Sequence, residues 1–241
     1  MGRAFEYRRA AKERRWATMS RVFPKLSKAI TFAAKSGGAD PELNAPLRMA
    51  IQNAKNANMP KDNIEAAIRR ATDQDQSGLD NIRYEGYGPH GIAIIVETTT
   101  DNPNRTVANL RTIFGRAGGS LGVSNSVAFQ FSHLGVFRIP AAGQDLDELQ
   151  LQLIDYGLEE LMEEETEDGG AELVILTPFE AFGQMQKGLE GLGIEILKAE
   201  IQWFPNVTTE LTEAQQADID KLVDKLQDDD DVQDVYTSLA P

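Results

Sequence analysis

Between residues 20 and 72 apolar side chains return every three to four positions. Val22, Leu26, Ala29, Ile30 and Ala33 form one stripe, with Arg21, Lys25 and Lys28 on a neighbouring flank, which predicts a helix with one buried and one cationic face. Gly37-Gly38 closes it. Leu47, Ala50, Ile51 and Ala54 repeat the i, i+3, i+4, i+7 pattern of a second helix. In a third, Pro60 suits the first turn and Asp62 and Glu65 favour the positive end of the dipole. Ile64, Ala67, Ile68 and Ala71 supply its stripe, and Arg69-Arg70 lie near its negative end. Three such stripes bury one another as a bundle.

The period changes after the polar stretch Asp73 to Asn81. Beyond the turn Tyr87-Gly88-Pro89-His90-Gly91, Ile92 to Glu97 reads as a strand. A helix opened by Asn102-Pro103 carries Val107, Leu110 and Phe114, and Val127 to Phe131 alternates as a second strand. A further series follows: strand Val136 to Ile139, helix Asp145 to Tyr156, an acidic strand within Leu158 to Thr166, strand Leu173 to Leu176, helix Pro178 to Leu192, and strand Ile194 to Ala199. This βαββαβ order predicts a ferredoxin-like sandwich. From about Ile201 a strand, a helix over Thr212 to Leu226 and a strand over Val232 to Tyr236 remain. Left alone, that tail exposes a sheet edge; paired with the βαβ of residues 82–132 it completes a second sandwich around the first. The expected class is α+β: an N-terminal three-helix bundle followed by two ferredoxin-like α/β sandwich domains, one inserted in the other. The expected boundaries are 1–77, 78–132 with 201–241, and 133–200.

Charge changes the picture most. Of 24 Lys and Arg residues, 15 fall in residues 1–72 beside 6 of the 38 acids, so that third carries +9 and the remainder −23, within a net charge of −14. A chain this acidic is repelled by nucleic acid as a whole, yet a basic end can still neutralise phosphates locally. The 41% hydrophobic and 26% charged content lies near globular averages, so disorder is not the default. The absence of cysteine excludes disulfides, thiolate metal sites and cysteine catalysis. No window reaches the roughly 20 apolar residues of a membrane-spanning helix, and the start lacks a secretory core. Glu6 stands where a myristoylation motif wants Ser or Thr, and Glu6 and Glu13 count against an organelle presequence. Cytoplasm is the expected location.

Ahead of the bundle, Arg8, Arg9, Lys12 and Arg15 share one side of a helix, interleaved with Phe5, Tyr7 and Trp16 but without an apolar stripe to fold against. Arg makes bidentate phosphate contacts and aromatic rings stack on bases, so the segment suits nucleic acid; a solvated terminus is the alternative. The candidate nucleic-acid-binding set is Arg3, Arg8, Arg9, Lys12, Arg14, Arg15, Trp16, Arg21, Lys25, Lys28, Lys55, Lys61, Arg69 and Arg70. For the bundle cations among them, a solvated face with dipole complementation competes. Tyr84, Tyr87 and Arg105 are candidates for an interdomain or cleft site. Their structural alternative is tyrosines packing an interface and Arg105 capping a carboxylate.

Features of enzyme chemistry are sparse. His90 and His133 are the two histidines, each beside a turn or strand edge, without metal-ligand spacing. Gly118 to Gly122 lacks the Gly-Lys-Ser/Thr ending of a P-loop and reads as a helix C-cap followed by a turn. The runs Glu163 to Glu165 and Asp228 to Asp231 lack the spaced ligands of an EF-hand and read as solvated acidic faces. The expectation is a non-enzyme with no cofactor and no metal.

Four stretches carry a resemblance: Asn58-Met59-Pro60-Lys61-Asp62-Asn63-Ile64-Glu65, Tyr84-Glu85-Gly86-Tyr87-Gly88-Pro89, Thr100-Asp101-Asn102-Pro103-Asn104-Arg105-Thr106 and Gly118-Gly119-Ser120-Leu121-Gly122. Together, and in this order along almost the whole chain, they closely resemble the YebC/PmpR family, which includes a mitochondrial translational activator. The resemblance implies three domains, a helical one and two α/β ones. Two departures stand out. The typical bacterial start resembling Gly-His-Ser-Lys-Trp is replaced by Met1-Gly2-Arg3-Ala4-Phe5-Glu6-Tyr7, and Pro103 replaces the first Arg of an Asp-Asn-Arg-Asn-Arg-Thr motif. The family implies either a cytoplasmic DNA-binding transcriptional regulator or a translation factor at the ribosome. Against sequence-specific DNA reading, no predicted helix pairs a recognition face with the two-helix turn signature; in favour of RNA, an Arg-rich aromatic arm that folds on binding is a common device. DNA-binding regulation stands first, an RNA or ribosome factor second. An acidic adaptor whose α/β domains recruit a protein stands third.

Overall fold

The computed structural model describes residues 22–72, 78–165 and 170–240. Helix α1 spans residues 22–37, α2 Ala45–Asn56 and α3 Lys61–Thr72. Asn44 caps α2, its side chain accepting from the Leu47 N–H at 3.1 Å and donating to the Ala33 and Gly38 carbonyls. The stripes meet as expected: Ile30, Ala33, Leu47, Ala54, Ile64 and Ala67 are buried in one cluster with Met59. Thr31 ties α1 to α3 by donating to the Ala67 carbonyl at 2.9 Å.

Two antiparallel four-stranded sheets follow. The first, in order β3-β1-β2-β8, takes β1 Asp80–Tyr87, β2 Ala93–Thr100, β3 Ser120–Leu121 and β8 Val232–Thr237. Helix α4, Pro103–Arg116, follows β2, and α7, Glu213–Gln227, precedes β8. The second sheet lies wholly between β3 and α7 in the chain. It takes β4 Phe131–Pro140, α5 Leu146–Ile154, β5 Glu160–Glu165, β6 Ala171–Pro178, α6 Phe182–Gly191 and β7 Lys198–Pro205, in strand order β5-β6-β4-β7. Central β4 pairs with β6 from Leu134↔Pro178 to Pro140↔Glu172 and with β7 from Phe131↔Pro205 to Arg138↔Lys198. This is the βαββαβ order expected, and the class is α+β with one sheet inserted in the other.

Three strands differ from the sequence reading. Val127 to Phe131 is a short helical turn, Ala128–Gln130, leading into β4, and the two-residue β3 takes the place beside β1 at one end of the first sheet. A single strand, β7, replaces the two expected at Ile194 to Ala199 and from Ile201. Gly193, at φ +70°, ends α6, and pairing begins only once the Leu197 N–H reaches the Arg138 carbonyl at 2.8 Å. Strand β1 went unread because its apolar–polar alternation is confined to Ile82-Arg83-Tyr84-Glu85, with Asp80, Asn81 and Gly86 around it.

The chain divides into two compact units. One comprises the described residues of 1–84 with 96–116 and 220–235, and the other those of 85–95, 117–219 and 236–241. Apolar clusters are seen among the described residues of the second unit. Ala93, Ile95, Val127 and Phe131 pack with Trp203 and Tyr236, and Leu134, Val136, Val174 and Leu176 pack with Met162 and Phe204.

Candidate functional site

The third resembling stretch builds the entry to α4. Thr100 Oγ1 accepts from the Asn102 N–H at 3.0 Å, the Asn102 side chain accepts from the Arg105 N–H at 3.1 Å, and Pro103 starts the helix. This cap places Arg105 and Thr106 in the first turn facing Asp231, at the start of β8. Arg105 Nη2 donates to both Asp231 carboxylate oxygens, at 3.0 and 2.7 Å, and to Asp101 at 2.9 Å. Thr100 and Thr106 hydroxyls lie 3.1 and 2.9 Å from Asp231 Oδ2, and Lys28 Nζ, reaching from α1, lies 3.0 Å from Oδ1. Lys28 also donates to the carbonyls of Thr99 and Asp230.

Asp231 is 3% exposed. Burial alone raises a carboxylate pKa, but the bonds from Arg105, Lys28 and Thr106 and the charge of Lys28 outweigh it and hold the group at about 2. The Arg105 guanidinium is in turn raised by its hydrogen bond to Asp231. Around this ion cluster lies a cleft of about 960 Å³. Cations Lys28, Arg70 and Arg105, acids Asp101, Asp229, Asp230 and Asp231, and neutral Pro24, Thr31, Leu79 and Asn109 line it. A carboxylate with so low a pKa is a weak base at neutral pH, and two of the three cations already face an acid. Among the described residues, no group of three or more acids and histidines has a metal-binding arrangement. What this geometry does best is tie α1, α4 and the start of β8 together.

Of the predicted phosphate contacts, Arg3, Arg8, Arg9, Lys12, Arg14, Arg15, Trp16 and Arg21 lie outside the described residues. Lys25 donates to the Gln233 carbonyl at 3.0 Å, and Lys28 belongs to the ion cluster. Arg70 donates to Ser27 Oγ at 2.6 Å and to the Ala66 carbonyl. Lys55, Lys61 and Arg69 stand exposed on the bundle. The structure therefore separates cations facing the cleft and β8 from cations facing solvent.

Tyr84 donates to the Pro103 carbonyl at 3.4 Å, supporting the entry to α4. Burial and then the charge of Asp231 raise its pKa. In the other unit, Tyr87 receives a bond from Gln130 at 2.9 Å. Between these tyrosines, Glu85 is 2% exposed and its carboxylate accepts from the N–H groups of Asn125, Val127 and Ala128, each at 2.9 Å. The Gly118–Gly122 stretch fits this loop to β1. Gly118 ends α4 at φ +78°, and a Cβ on Gly119 would stand 2.4 Å from the Tyr87 carbonyl oxygen. The helix-cap reading of this stretch thus describes what is seen.

Sequence reasoning missed Thr100, Thr106, Glu85 and above all Asp231, which it placed on a solvated acidic face. Asp228 and Asp230 are exposed, but the last member of the run turns inward. The one available signal was the Thr100 to Thr106 stretch itself, whose hydroxyls and arginine need an anion to bind.

A helical N-terminal module followed by two antiparallel four-stranded α/β sheets, one inserted in the other, is the class that this fold defines. Residues 3–74 match the TACO1/YebC protein N-terminal domain and residues 79–239 the TACO1/YebC second and third domain, so the chain belongs to the TACO1/YebC family. It is 50% identical over 239 residues, 99% of each chain, to a protein of Flavobacterium psychrophilum named "Probable transcriptional regulatory protein". A protein of Wolinella succinogenes with the same description is 52% identical over 242 residues, covering both chains fully. A conserved hypothetical protein from Aquifex aeolicus of solved structure superposes with a TM-score of 0.78 at 37% identity, over 93% of this chain and 91% of that one.

Proposed function

We propose that this protein is a nucleic-acid-binding regulator of gene expression, working in the cytoplasm as a DNA-binding transcriptional regulator. The segregation of +9 into residues 1–72 against −23 elsewhere carries the reading. The description shared by the relatives from Flavobacterium and Wolinella supports it. On the bundle, Lys55, Lys61 and Arg69 are exposed, and the acidic α/β domains keep the duplex on the basic module. In this division of labour residues 1–77 bind nucleic acid, while 78–132 with 201–241 and 133–200 remain in water for a protein partner. Fluorescence anisotropy on duplex DNA between 50 and 200 mM salt tests it. Six phosphate contacts predict a slope of log affinity against log salt of about −5, from roughly −0.9 per contact. A flat response refutes the electrostatic basis.

The arm supports a second reading. Arg8, Arg9, Lys12 and Arg15 interleaved with Phe5, Tyr7 and Trp16 suit single-stranded RNA, which favours a ribosome-associated factor. Sedimentation of gentle lysates decides between the two. Co-migration with ribosomes abolished by RNase and spared by DNase selects translation, and release from the nucleoid by DNase alone selects transcription.

A further inference from the structure

We infer that α3 is a reading helix that enters the major groove of duplex DNA, with Lys61, Asp62, Glu65, Ala66 and Arg69 facing the bases; the inference rests on the DNA-binding reading above. The sequence concealed this arrangement because its turn holds no glycine. In the structure, α2 and α3 are joined by the four residues Ala57 to Pro60, and Asn58 takes the left-handed conformation at φ +58°. A connection of three to four residues, usually with glycine at the left-handed position, is the joint of helix-turn-helix modules. Asparagine is the residue that best replaces glycine there. The chain closes the turn tightly: the N–H groups of Ala57, Asn58 and Met59 reach the carbonyls of Asn53, Lys55 and Ala54 at 3.0, 2.9 and 2.9 Å.

The side chains around the joint agree with it. Ala54, four residues before Asn58, is fully buried, and so is Ala67 on α3, small residues that let helices approach closely. Met59, directly after the left-handed residue, is 6% exposed and fills the centre, and Ile64 at 7% anchors the base of α3. With Ile64 and Ala67 turned inward, a 3.6-residue period directs Asp62, Glu65, Ala66 and Arg69 outward.

That outward face is open and chemically suited to reading. The Lys61 and Arg69 side chains are 87% and 68% exposed, and their pairs with Glu65, at 3.6 and 3.9 Å, lie at the surface, where such pairs contribute little. Arginine and lysine recognise guanine O6 and N7, aspartate and glutamate accept from cytosine N4, and alanine touches the thymine methyl. A 12-residue helix is about 18 Å long, and a groove about 12 Å wide admits it. The exposed Lys55 at the end of α2 faces no acid in its own helix and supplies a sequence-independent phosphate contact.

Selection from a random duplex library with the full chain, followed by sequencing, tests the inference. Wild type, Arg69→Ala, Arg69→Lys and Lys55→Gln are compared, with thermal melting to establish that each is folded. The expected result is an enriched motif in wild type that loses discrimination at one base pair in Arg69→Ala, by about 5- to 150-fold. Arg69→Lys, which keeps the charge and loses the bidentate fork, should lose part of it. Lys55→Gln should keep the motif and weaken every sequence alike. Salt-dependent duplex binding with no motif, or a motif unchanged by both Arg69 variants, overturns α3 as the reading helix and leaves the DNA-binding reading standing. Failure to bind duplex DNA, with or without capture of single-stranded RNA, overturns both.

Discussion

Replacing Asp231 with Asn keeps the shape of the side chain and one acceptor oxygen while removing the charge that Lys28 and Arg105 face. In the wild type this carboxylate is held at about 2, against 3.8 for an unperturbed group. Each pKa unit corresponds to about 1.36 kcal/mol, so the charged form contributes on the order of 2.5 kcal/mol to folding. A folded-state pKa below the unfolded value gives stability that is present above the unfolded pKa and disappears as pH falls through the folded one. The contribution should therefore be flat from pH 8 to 5, fall to about half near pH 3 and nearly vanish at pH 2. The assay is urea denaturation of wild type and Asp231→Asn from pH 3 to 8, followed by circular dichroism. The variant should lose about 2 to 3 kcal/mol at neutral pH, a drop of roughly 5 to 10 °C in melting temperature for a chain of this size. Asp231→Ala, which also removes an acceptor of the Thr100 and Thr106 hydroxyls and leaves Lys28 and Arg105 without their shared carboxylate, should cost more, about 3 to 5 kcal/mol. A loss under about 0.5 kcal/mol, the range of ordinary surface substitutions, would refute the ion cluster as a structural tie. A difference between wild type and Asp231→Asn that stays constant down to pH 3 would refute the depressed pKa.

The other clusters are open to similar tests. Glu85→Ala removes the acceptor of three backbone N–H groups and should cost about 3 kcal/mol, with faster hydrogen exchange at Asn125, Val127 and Ala128; unchanged exchange there would show that the carboxylate does not hold the loop. Gly119→Ala drives a methyl group against the Tyr87 carbonyl and should destabilise by about 1 to 3 kcal/mol in thermal melting. Lys28→Met should cost about 1 to 3 kcal/mol, whereas Lys61→Gln should stay within about 0.5 kcal/mol, so equal effects would contradict the division into cleft-facing and solvent-facing cations. Arg105→Ala should lower stability and leave duplex affinity unchanged; the opposite result would mean that Arg105 binds phosphate rather than Asp231.

By itself the sequence determined whatever depends on short-range periodicity and on counting. The stripes of Val22 to Ala33, Leu47 to Ala54 and Ile64 to Ala71 specify their helices because a 3.6-residue turn leaves one way to bury them. The βαββαβ order of the inserted sheet and the segregation of charge were equally legible, since both survive errors of several residues. Tertiary structure decided the rest. Asp231 looks like its exposed neighbours Asp228 and Asp230, and only folding brings Arg105, 126 positions away, and Lys28, 203 positions away, to its carboxylate. Glu85 is likewise a polar residue in a strand until the loop at residues 125–128 closes over it. A buried charge is costly in isolation and is retained where distant partners offset it, so it cannot be read from the residues beside it.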